Sequence, residues 1–258
     1  FAPDVGLHED VYELDFASLY PNIIRTRNIS PETVRCGCCD TDDVPGLGYS
    51  ICDHDGYLSE VLGPLIDARS EIKAEITDAD GEERERLEAA SSAIKWILVS
   101  CFGYQGFSNA KFGRIECHEA INAFAREILL DAKAALEEAG WRVVHGIVDS
   151  IWVTPDPDID DSERADLDTL ATEITEEAEI RLEHEAHYDW VAFVPQRESD
   201  AGALTKYFGK VAGDDEFKVR GIEARQRSTP PFIEEVQREG LERFDATRSS
   251  RAVLTFLR

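Results

Sequence analysis

The sequence predicts an α+β protein, in which antiparallel strands are combined with segregated helices. Apolar residues alternate with period two in several stretches, as is typical of half-buried strands. Elsewhere the apolar residues recur at helical spacing, and two such segments adjoin across a short polar turn. With 258 residues, the chain is long enough to bury a sizeable hydrophobic core.

The first predicted strand runs from Val11 to Phe16 and places Asp15 at its end, before helical spacing begins at Leu19. A loop rich in Cys, Gly and Asp is expected to follow, to about residue 56. The next segment predicts two helices joined at residues 78–83. Consecutive helices with a short polar turn form an antiparallel hairpin.

A glycine-bearing loop is predicted at residues 101–114, followed by a helix whose end is marked by Gly140. Two β-rich runs around a tight turn then predict a hairpin within residues 141–158, with Asp149 in its apolar centre. A helix at about 160–183, strands near 188–196, 203–212 and 217–224, and a helix at 230–244 complete the expected elements.

The formal net charge is −26, from 53 acidic and 27 basic residues, and only seven of the basic residues are Lys. An acid-rich, Lys-poor surface suits a cytoplasm at molar salt, where the Debye length is roughly 3 Å. We interpret this balance as the solvated surface of a halophilic protein, with an acidic interaction tail as the alternative. It argues against a nucleic-acid partner unless the basic residues are concentrated in one place.

The chain contains no Met and begins with Phe1, and we expect it to be a piece of a longer protein. No apolar run approaches 18 residues, and no charged-then-apolar leader is present. We therefore expect no membrane association and a cytoplasmic, reducing location.

Four of the six cysteines lie in one predicted loop: Cys36, Cys38, Cys39 and Cys52. Together with His54 they supply enough ligands for tetrahedral zinc, although their spacing differs from the usual pairs of Cys-x2-Cys. Free thiols and a redox pair are the alternatives. Cys101 and Cys117 are expected to pack in the core.

Two aspartates stand out although they are 134 positions apart, Asp15 at a strand end and Asp149 in a hairpin. An antiparallel sheet can bring such positions side by side. Facing carboxylates repel each other unless a cation lies between them, which is how two-metal sites for phosphoryl transfer are built. From spacing alone, Asp149 can equally be an ordinary turn residue.

Three motifs around these aspartates resemble those of family B DNA polymerases. Residues 15–34 resemble the first catalytic motif, in which an aspartate is followed by Ser-Leu-Tyr-Pro. Residues 95–107, KWILVSCFGYQGF, resemble the second motif, with its lysine on a helix leading to Ser, an aromatic residue and Gly. Residues 145–150, HGIVDS, resemble the third, usually Tyr-Gly-Asp-Thr-Asp-Ser. The motifs follow in the family's order, with a helical hairpin between the first two.

The resemblance implies an antiparallel-sheet palm flanked by helices, with an inserted helical-hairpin fingers subdomain and the start of a helical thumb. Weaker matches at residues 206–210 and 218–227 resemble the stretches that lead from palm to thumb. The expected boundaries are 1–55 for the first part of the palm, 56–101 for the fingers, 102–222 for the second part of the palm and 223–258 for the beginning of the thumb.

By this resemblance, the protein is a template-directed DNA polymerase that acts on primer–template DNA and a dNTP. Asp15, Asp149 and the backbone carbonyl of Phe16 would hold two Mg²⁺ ions. A sliding clamp or other replication and repair proteins would be further partners. The expected nucleotide-binding residues are Ser18, Leu19, Tyr20, Arg69, Lys73 and Lys95.

Within that set, the ring of Tyr20 would exclude a ribose 2′-hydroxyl, and a core aromatic is its alternative role. The three cations would clamp the triphosphate, with ordinary solvated charges as the alternative. The expected neighbours of the nascent base pair and template are Val99, Phe102 and Gly103. The candidates for phosphate contacts are Lys111, Arg114, Lys206, Lys210 and Arg220.

The chain departs from the family pattern at several positions. Ile147 stands where the third motif usually has its first aspartate, and Val99 replaces an asparagine. Phe102 and His145 each replace a tyrosine, and Ser228 replaces an aspartate. One alternative hypothesis is therefore a weakened or inactive polymerase-like protein that binds primer–template DNA or a replication or repair partner. Another is an acidic interaction module whose motifs match by coincidence.

Overall fold

The computed structural model describes residues 1–215 and 217–256. These residues form six strands, seven α-helices and a short 3-10 helix at Glu223–Arg225, which confirms the α+β class. Glu216 and the last two residues of the expected thumb segment lie outside the described residues. The strands are β1 (Gly6–Phe16), β2 (Trp141–Ile147), β3 (Ser150–Pro155), β4 (Leu182–Pro195), β5 (Gly202–Val211) and β6 (Phe217–Arg220), and the helices are α1 (Leu19–Thr26), α2 (Tyr57–Asp78), α3 (Gly81–Gln105), α4 (Ile115–Glu138), α5 (Leu167–Ala178), α6 (Pro231–Thr247) and α7 (Ser250–Phe256).

The six strands form one sheet in the order β2-β3-β1-β4-β5-β6. Four neighbouring pairs are antiparallel: β1 with β3, β2 with β3, β4 with β5 and β5 with β6. β1 lies inside the sheet although it is the first strand in the chain, and its register places Asp15 opposite Ser150.

The chain divides into two compact units. The first contains residues 1–15, 136–166 and those from His184 onward, and it includes most of the sheet with α6 and α7. The second contains residues 16–135 and 167–183, and it includes α1, α2, α3, most of α4, and α5.

One face of the sheet in the first unit carries a buried apolar cluster. Trp152, Tyr188 and Phe193 are buried there with Val11 and Tyr207. Since side chains on a strand alternate between the two faces, Val11 and Asp15 point to the same face of β1. On the opposite face, Trp190 packs against Phe244 of α6. Asp15 therefore lies on the same face of β1 as the apolar cluster.

The predicted helical hairpin is present in the second unit as α2 and α3, which pack against each other and against α1. The turn between them contains Gly81 in a left-handed conformation, with φ +56°. The end of α4 was also predicted correctly, since Gly140 lies just beyond it with φ +92°.

Two boundaries and one helix differ from the sequence prediction. Residues 101–105, predicted to begin a loop, are the last turn of α3, because the buried stripe at Leu98 continues seven residues later at Gln105. The helix expected at 160–183 is only α5, since Glu179 adopts a left-handed conformation immediately after it. α7 was not predicted.

None of the helices formed by residues 1–215 and 217–256 is long and apolar enough to span a membrane.

Candidate functional site

Two of the predicted carboxylates converge in the first unit. Asp15, near the end of β1, lies opposite Ser150, and the Ser150 hydroxyl donates a 2.7 Å hydrogen bond to its Oδ1. Asp149 immediately precedes Ser150 in the two-residue turn between β2 and β3. The antiparallel pairing of β1 with β3 therefore brings together two residues that are far apart in the chain.

The turn itself is strained at Val148, which has φ +57° and an exposed side chain. A β-branched residue rarely adopts this conformation, and such strain is characteristic of sites where the surrounding structure fixes an unfavourable geometry. Sequence reasoning missed this feature because valine carries no signal for a left-handed turn. The conformation of Val148 therefore sets the position of Asp149, the next residue in the turn.

The electrostatics of the pair are those of crowded carboxylates. Burial, followed by the negative charge of Asp149, raises the pKa of Asp15 to about 6, although the hydrogen bond from Ser150 opposes this. Glu185 on β4 also raises this pKa and was not identified from the sequence. A divalent cation would relieve the repulsion, so these carboxylates can hold metal.

Ile147 stands where the third motif of the family usually has its first aspartate. Its side chain packs against the apolar cluster around Trp152. His145, which replaces a tyrosine, is buried and stacks on the same Trp152 ring at 4.8 Å. Its ring nitrogens lie 3.2 Å from the carbonyl oxygen of Phe1 and 3.0 Å from that of Leu204. Burial lowers the pKa of His145. Both departures from the family pattern are therefore accommodated by apolar packing.

A cationic cleft of about 230 Å³ lies in the second unit, between the start of α1 and the side of α2. Ser18, Arg69 and Lys73 line it, as do two arginines that sequence reasoning did not identify, Arg25 and Arg181. The Arg69 guanidinium donates to the Ser18 hydroxyl at 3.1 Å through Nη1. Its Nε is buried without a hydrogen-bond partner among the described residues, which leaves a donor for an anionic ligand.

Carboxylates partly balance the charge of this cleft. Arg25 is paired with Asp67 at 2.6 Å, and Lys73 lies 3.7 Å from Glu183. Lys95, the third predicted cation, is exposed on α3 and is not among the residues that line the cleft. The structure thus brings Arg69, Lys73 and Ser18 together in one cleft, which Lys95 does not line.

Tyr20 belongs to a stack of three aromatic rings within the second unit. Its ring lies 4.1 Å from that of Phe102, which in turn lies 4.2 Å from the ring of His118. Tyr20 is partly exposed, whereas its neighbour Leu19 is buried. His118 was not identified from the sequence. The stack fixes the orientation of Tyr20 while leaving part of its ring accessible.

The predicted neighbours of the base pair and template lie on the last turns of α3. Val99 is 57% exposed, Phe102 is half-buried in the aromatic stack, and Gly103 is exposed. All three are helical, although Phe102 and Gly103 were expected in a loop. Their helical placement gives these positions fixed relative orientations.

The five candidates for phosphate contacts are divided between the two units, with Lys206, Lys210 and Arg220 in the first and Lys111 and Arg114 in the second. On β5, Lys206 and Lys210 point to one face, whereas the register pairs Arg220 with Tyr207 on the other face. Lys111 is exposed beside the ring of Phe112.

Arg114 is committed to the backbone, because its Nη1 donates to the carbonyl oxygens of Pro31 at 2.8 Å and Val34 at 2.7 Å. This gives Arg114 a structural role in the second unit. A phosphate contact by any of the five candidates stays a prediction.

A second candidate metal centre is formed by the thiols of Cys36, Cys38, Cys39 and Cys52. Their four Sγ atoms all lie within 4.8 Å of one another. In contrast, Cys117 is buried, as expected for a cysteine that packs in the interior, whereas Cys101 is only partly buried. The four-cysteine cluster lies in the second unit.

Comparison with known proteins gives consistent matches. The model of DNA polymerase family B matches residues 1–254. The chain is 34% identical over 238 residues to DNA polymerase 2 of Saccharolobus solfataricus, which covers 92% of this chain and 34% of that protein. It is 32% identical over 243 residues to the DNA polymerase of Archaeoglobus fulgidus, covering 93% and 29% respectively.

Among solved structures, the family B DNA polymerase from the hyperthermophilic archaeon Pyrobaculum calidifontis matches with a TM-score of 0.72 and 25% identity. The match covers 99% of this chain and 32% of that one. The chain therefore spans about a third of the length of the relatives that it matches.

Proposed function

Because the chain belongs to DNA polymerase family B, we propose that it forms part of a DNA polymerase that transfers a deoxynucleotidyl group from a dNTP to a primer 3′-hydroxyl. The observation that carries this proposal is the pairing of Asp15 with Ser150, which sets Asp15 beside Asp149. Two oxygen ligands at that point are what a nucleotidyl-transfer site requires.

Asp15, Asp149 and the backbone carbonyl of Phe16 would hold two Mg²⁺ ions. The donors fit, because Mg²⁺ prefers a few carboxylates and completes its shell with phosphate oxygens and water. The raised pKa of Asp15 also indicates negative charge that a cation would balance. When bound, the ions would lower the pKa of the primer hydroxyl and neutralise charge on the departing pyrophosphate.

The cleft beside α1 would take the triphosphate. Among the described residues, the Arg69 Nε has no hydrogen-bond partner, and Lys73 forms an ion pair with Glu183 that a phosphate could replace. Lys95 would contribute from α3. Tyr20, fixed by its stack with Phe102, would contact the sugar and discriminate against a 2′-hydroxyl.

In this proposal the sheet corresponds to the palm, with parts at 1–55 and 102–222, and α2 with α3 corresponds to the fingers at 56–101. α6 and α7 would begin the thumb. Primer–template DNA would contact the exposed side chains of Lys111 and Arg220. It would also contact β5 at Lys206. A sliding clamp or another replication or repair protein would be a partner of the whole protein.

Primer extension in molar KCl with Mg²⁺ tests the assignment on a full-length protein that carries this chain. We expect Asp15→Asn and Asp149→Asn each to reduce extension by at least 100-fold, since each removes a metal ligand. Asp158→Asn is the matched control, because this carboxylate is exposed in a turn after β3. Extension by either metal-ligand variant at the rate of the parent protein would refute the assigned ligands.

A catalytically weakened protein is the second candidate function, favoured by the apolar packing of Ile147. It predicts that the parent protein binds primer–template DNA without Mg²⁺-dependent extension. In the same assay, the double variant Ile147→Asp with Val99→Asn would then recover extension. Robust extension by the parent protein excludes this alternative.

A further inference from the structure

The loop between α1 and α2 gathers four thiols at one point. The Sγ atom of Cys38 lies 2.9 Å from that of Cys36 and 3.5 Å from that of Cys52. The Sγ atoms of Cys39 and Cys52 are 3.4 Å apart. These four are two thirds of the six cysteines in the chain, although they occupy only 17 consecutive positions.

The backbone brings the two ends of this loop together. Arg35 donates its N–H to the carbonyl oxygen of Ser50 at 2.8 Å, and Cys52 donates its N–H to Thr33 at 3.0 Å. These bonds flank an antiparallel bridge between the two segments. Cys52 is therefore held opposite the other three cysteines by hydrogen bonds that do not involve sulfur.

Core packing does not explain the cluster. Cys38 is exposed and the other three thiols are only partly buried, whereas a cysteine that packs in the interior is inaccessible, as Cys117 is. Exposed free thiols are also prone to oxidation. Four such side chains pointing at one another need a ligand that they share.

The distances suit a single tetrahedral ion. With Zn–S bonds of about 2.3 Å, tetrahedral thiolates lie about 3.8 Å apart. The described sulfur separations extend from 2.9 Å to no more than 4.8 Å and so include this value. A cluster of several iron atoms would hold its thiolates further apart. A disulfide would use only two of the four sulfurs and requires a bond of about 2.05 Å.

We propose that Cys36, Cys38, Cys39 and Cys52 bind one Zn²⁺ ion. Four protein ligands fill a tetrahedral shell and leave no position for water or substrate, so the ion is structural and has no part in nucleotidyl transfer. The site is independent of the Asp15 and Asp149 pair, which lies in the other compact unit.

The ion would anchor the start of α2. The side-chain amide of Asn28 donates to the carbonyl oxygen of Cys52 at 2.9 Å, and its Oδ1 accepts the N–H of Gly56 at 2.8 Å. Gly56 immediately precedes α2, the helix that carries Arg69 and Lys73. An ion that holds Cys52 in place would therefore also hold Asn28 and Gly56, and with them the start of α2.

Metal analysis of the intact protein tests the site. After purification with a reducing agent and dialysis against metal-free buffer, we expect Cys52→Ser to contain about one zinc per chain less than the parent protein. Cys101→Ser is the matched control, since this cysteine lies outside the cluster, and it should retain the zinc content of the parent. Equal zinc in the parent and Cys52→Ser would overturn the proposal.

A second variant separates loss of metal from loss of fold. Cys38→Ser changes the most exposed of the four thiols, so the far-ultraviolet circular dichroism should stay the same while Zn²⁺ affinity falls at least about tenfold. Co²⁺ added to the metal-free parent should give the intense visible bands of a tetrahedral thiolate site, and Cys38→Ser should weaken them. Iron in place of zinc in the purified parent protein would refute the assignment.

Discussion

Asp15 is held in the fold at a cost in stability, because burial and the charge of Asp149 favour its protonated form. Its pKa of about 6 in the folded chain lies above the ordinary value of 3.8. Between these two values the folded chain binds more protons than the unfolded chain, so the free energy of unfolding falls as the pH rises through this window. Above about pH 6 the loss is complete.

We therefore expect Asp15→Asn to stabilise the metal-free protein at neutral pH by about 1 kcal/mol, a value discounted for the partial exposure of the carboxyl group. The gain should disappear below about pH 4, where the carboxyl group is protonated in both states. Urea unfolding in the presence of a chelator, at neutral pH and at about pH 4, measures the difference in the free energy of unfolding between Asp15→Asn and the parent protein. Asp158→Asn is the control. A lower stability of Asp15→Asn at neutral pH would contradict the explanation.

At the residue scale, the sequence predicted the chemistry better than the geometry. The order of the motifs identified Asp15 and Asp149, because a motif preserves residue types that a reaction needs. The stacking of Tyr20 on Phe102 and His118 depends on three segments that meet only in the folded chain. The left-handed turn at Val148 has no local signal at all.

Among the elements of the sheet, three strands are linked by one buried carboxylate. Glu13 on β1 is 5% exposed, and it accepts hydrogen bonds from the Tyr188 hydroxyl of β4 at 2.5 Å and from the Lys218 ammonium of β6 at 2.9 Å. Desolvation and the charge of Glu13 raise the pKa of Tyr188 far above its ordinary value. The tyrosine therefore remains a donor throughout the accessible pH range.

Removing one partner of this group should be costly, because it leaves a buried carboxylate without its counter-charge. We expect Lys218→Met to lower the free energy of unfolding by about 3 kcal/mol. Adding Glu13→Gln to that variant should recover a large part of the loss, since the uncharged amide needs no cation. Chemical unfolding of the two single variants and the double variant measures the coupling, and additive effects would contradict it.

Elements with a strong local pattern were predicted correctly, and those set by tertiary contacts were not. α4 has a long apolar stripe and a glycine at its end, so its bounds follow from the sequence. α3 continues through Gly103 because Gln105, one further repeat along its buried stripe, is 1% exposed. Glycine has a weak helix propensity that packing of this kind overrides.

The excess of acidic residues is a property of the whole molecule. With a formal net charge of −26, the chain repels itself at low ionic strength, and the described ion pairs lie mostly on the surface, where each contributes little. Screening by salt should therefore stabilise the fold more than it weakens those pairs.

We expect the Tm to rise by several degrees between about 0.1 M and 2 M KCl, with most of the rise occurring while the Debye length shortens from about 10 Å to about 3 Å. Differential scanning calorimetry across a KCl series measures this. Sucrose is the control, since it stabilises without screening charge. A Tm that is unchanged or lower in KCl would show that the acidic surface is not an adaptation to salt.

The division into two units also determines when the chain can fold. β1 is made first, yet it lies inside the sheet, and its partner β3 follows only after the whole of α1 to α4 and β2. The hydrogen bond between Ser150 and Asp15 spans 135 positions, which a ribosome takes roughly 7–27 s to synthesise. During that interval neither of the strands that flank β1 in the sheet, β3 and β4, has been made, and an unpaired strand is a template for aggregation. The first half of the carboxylate pair therefore exists as nascent chain long before the second, and the sheet of this protein has to be completed late in its synthesis.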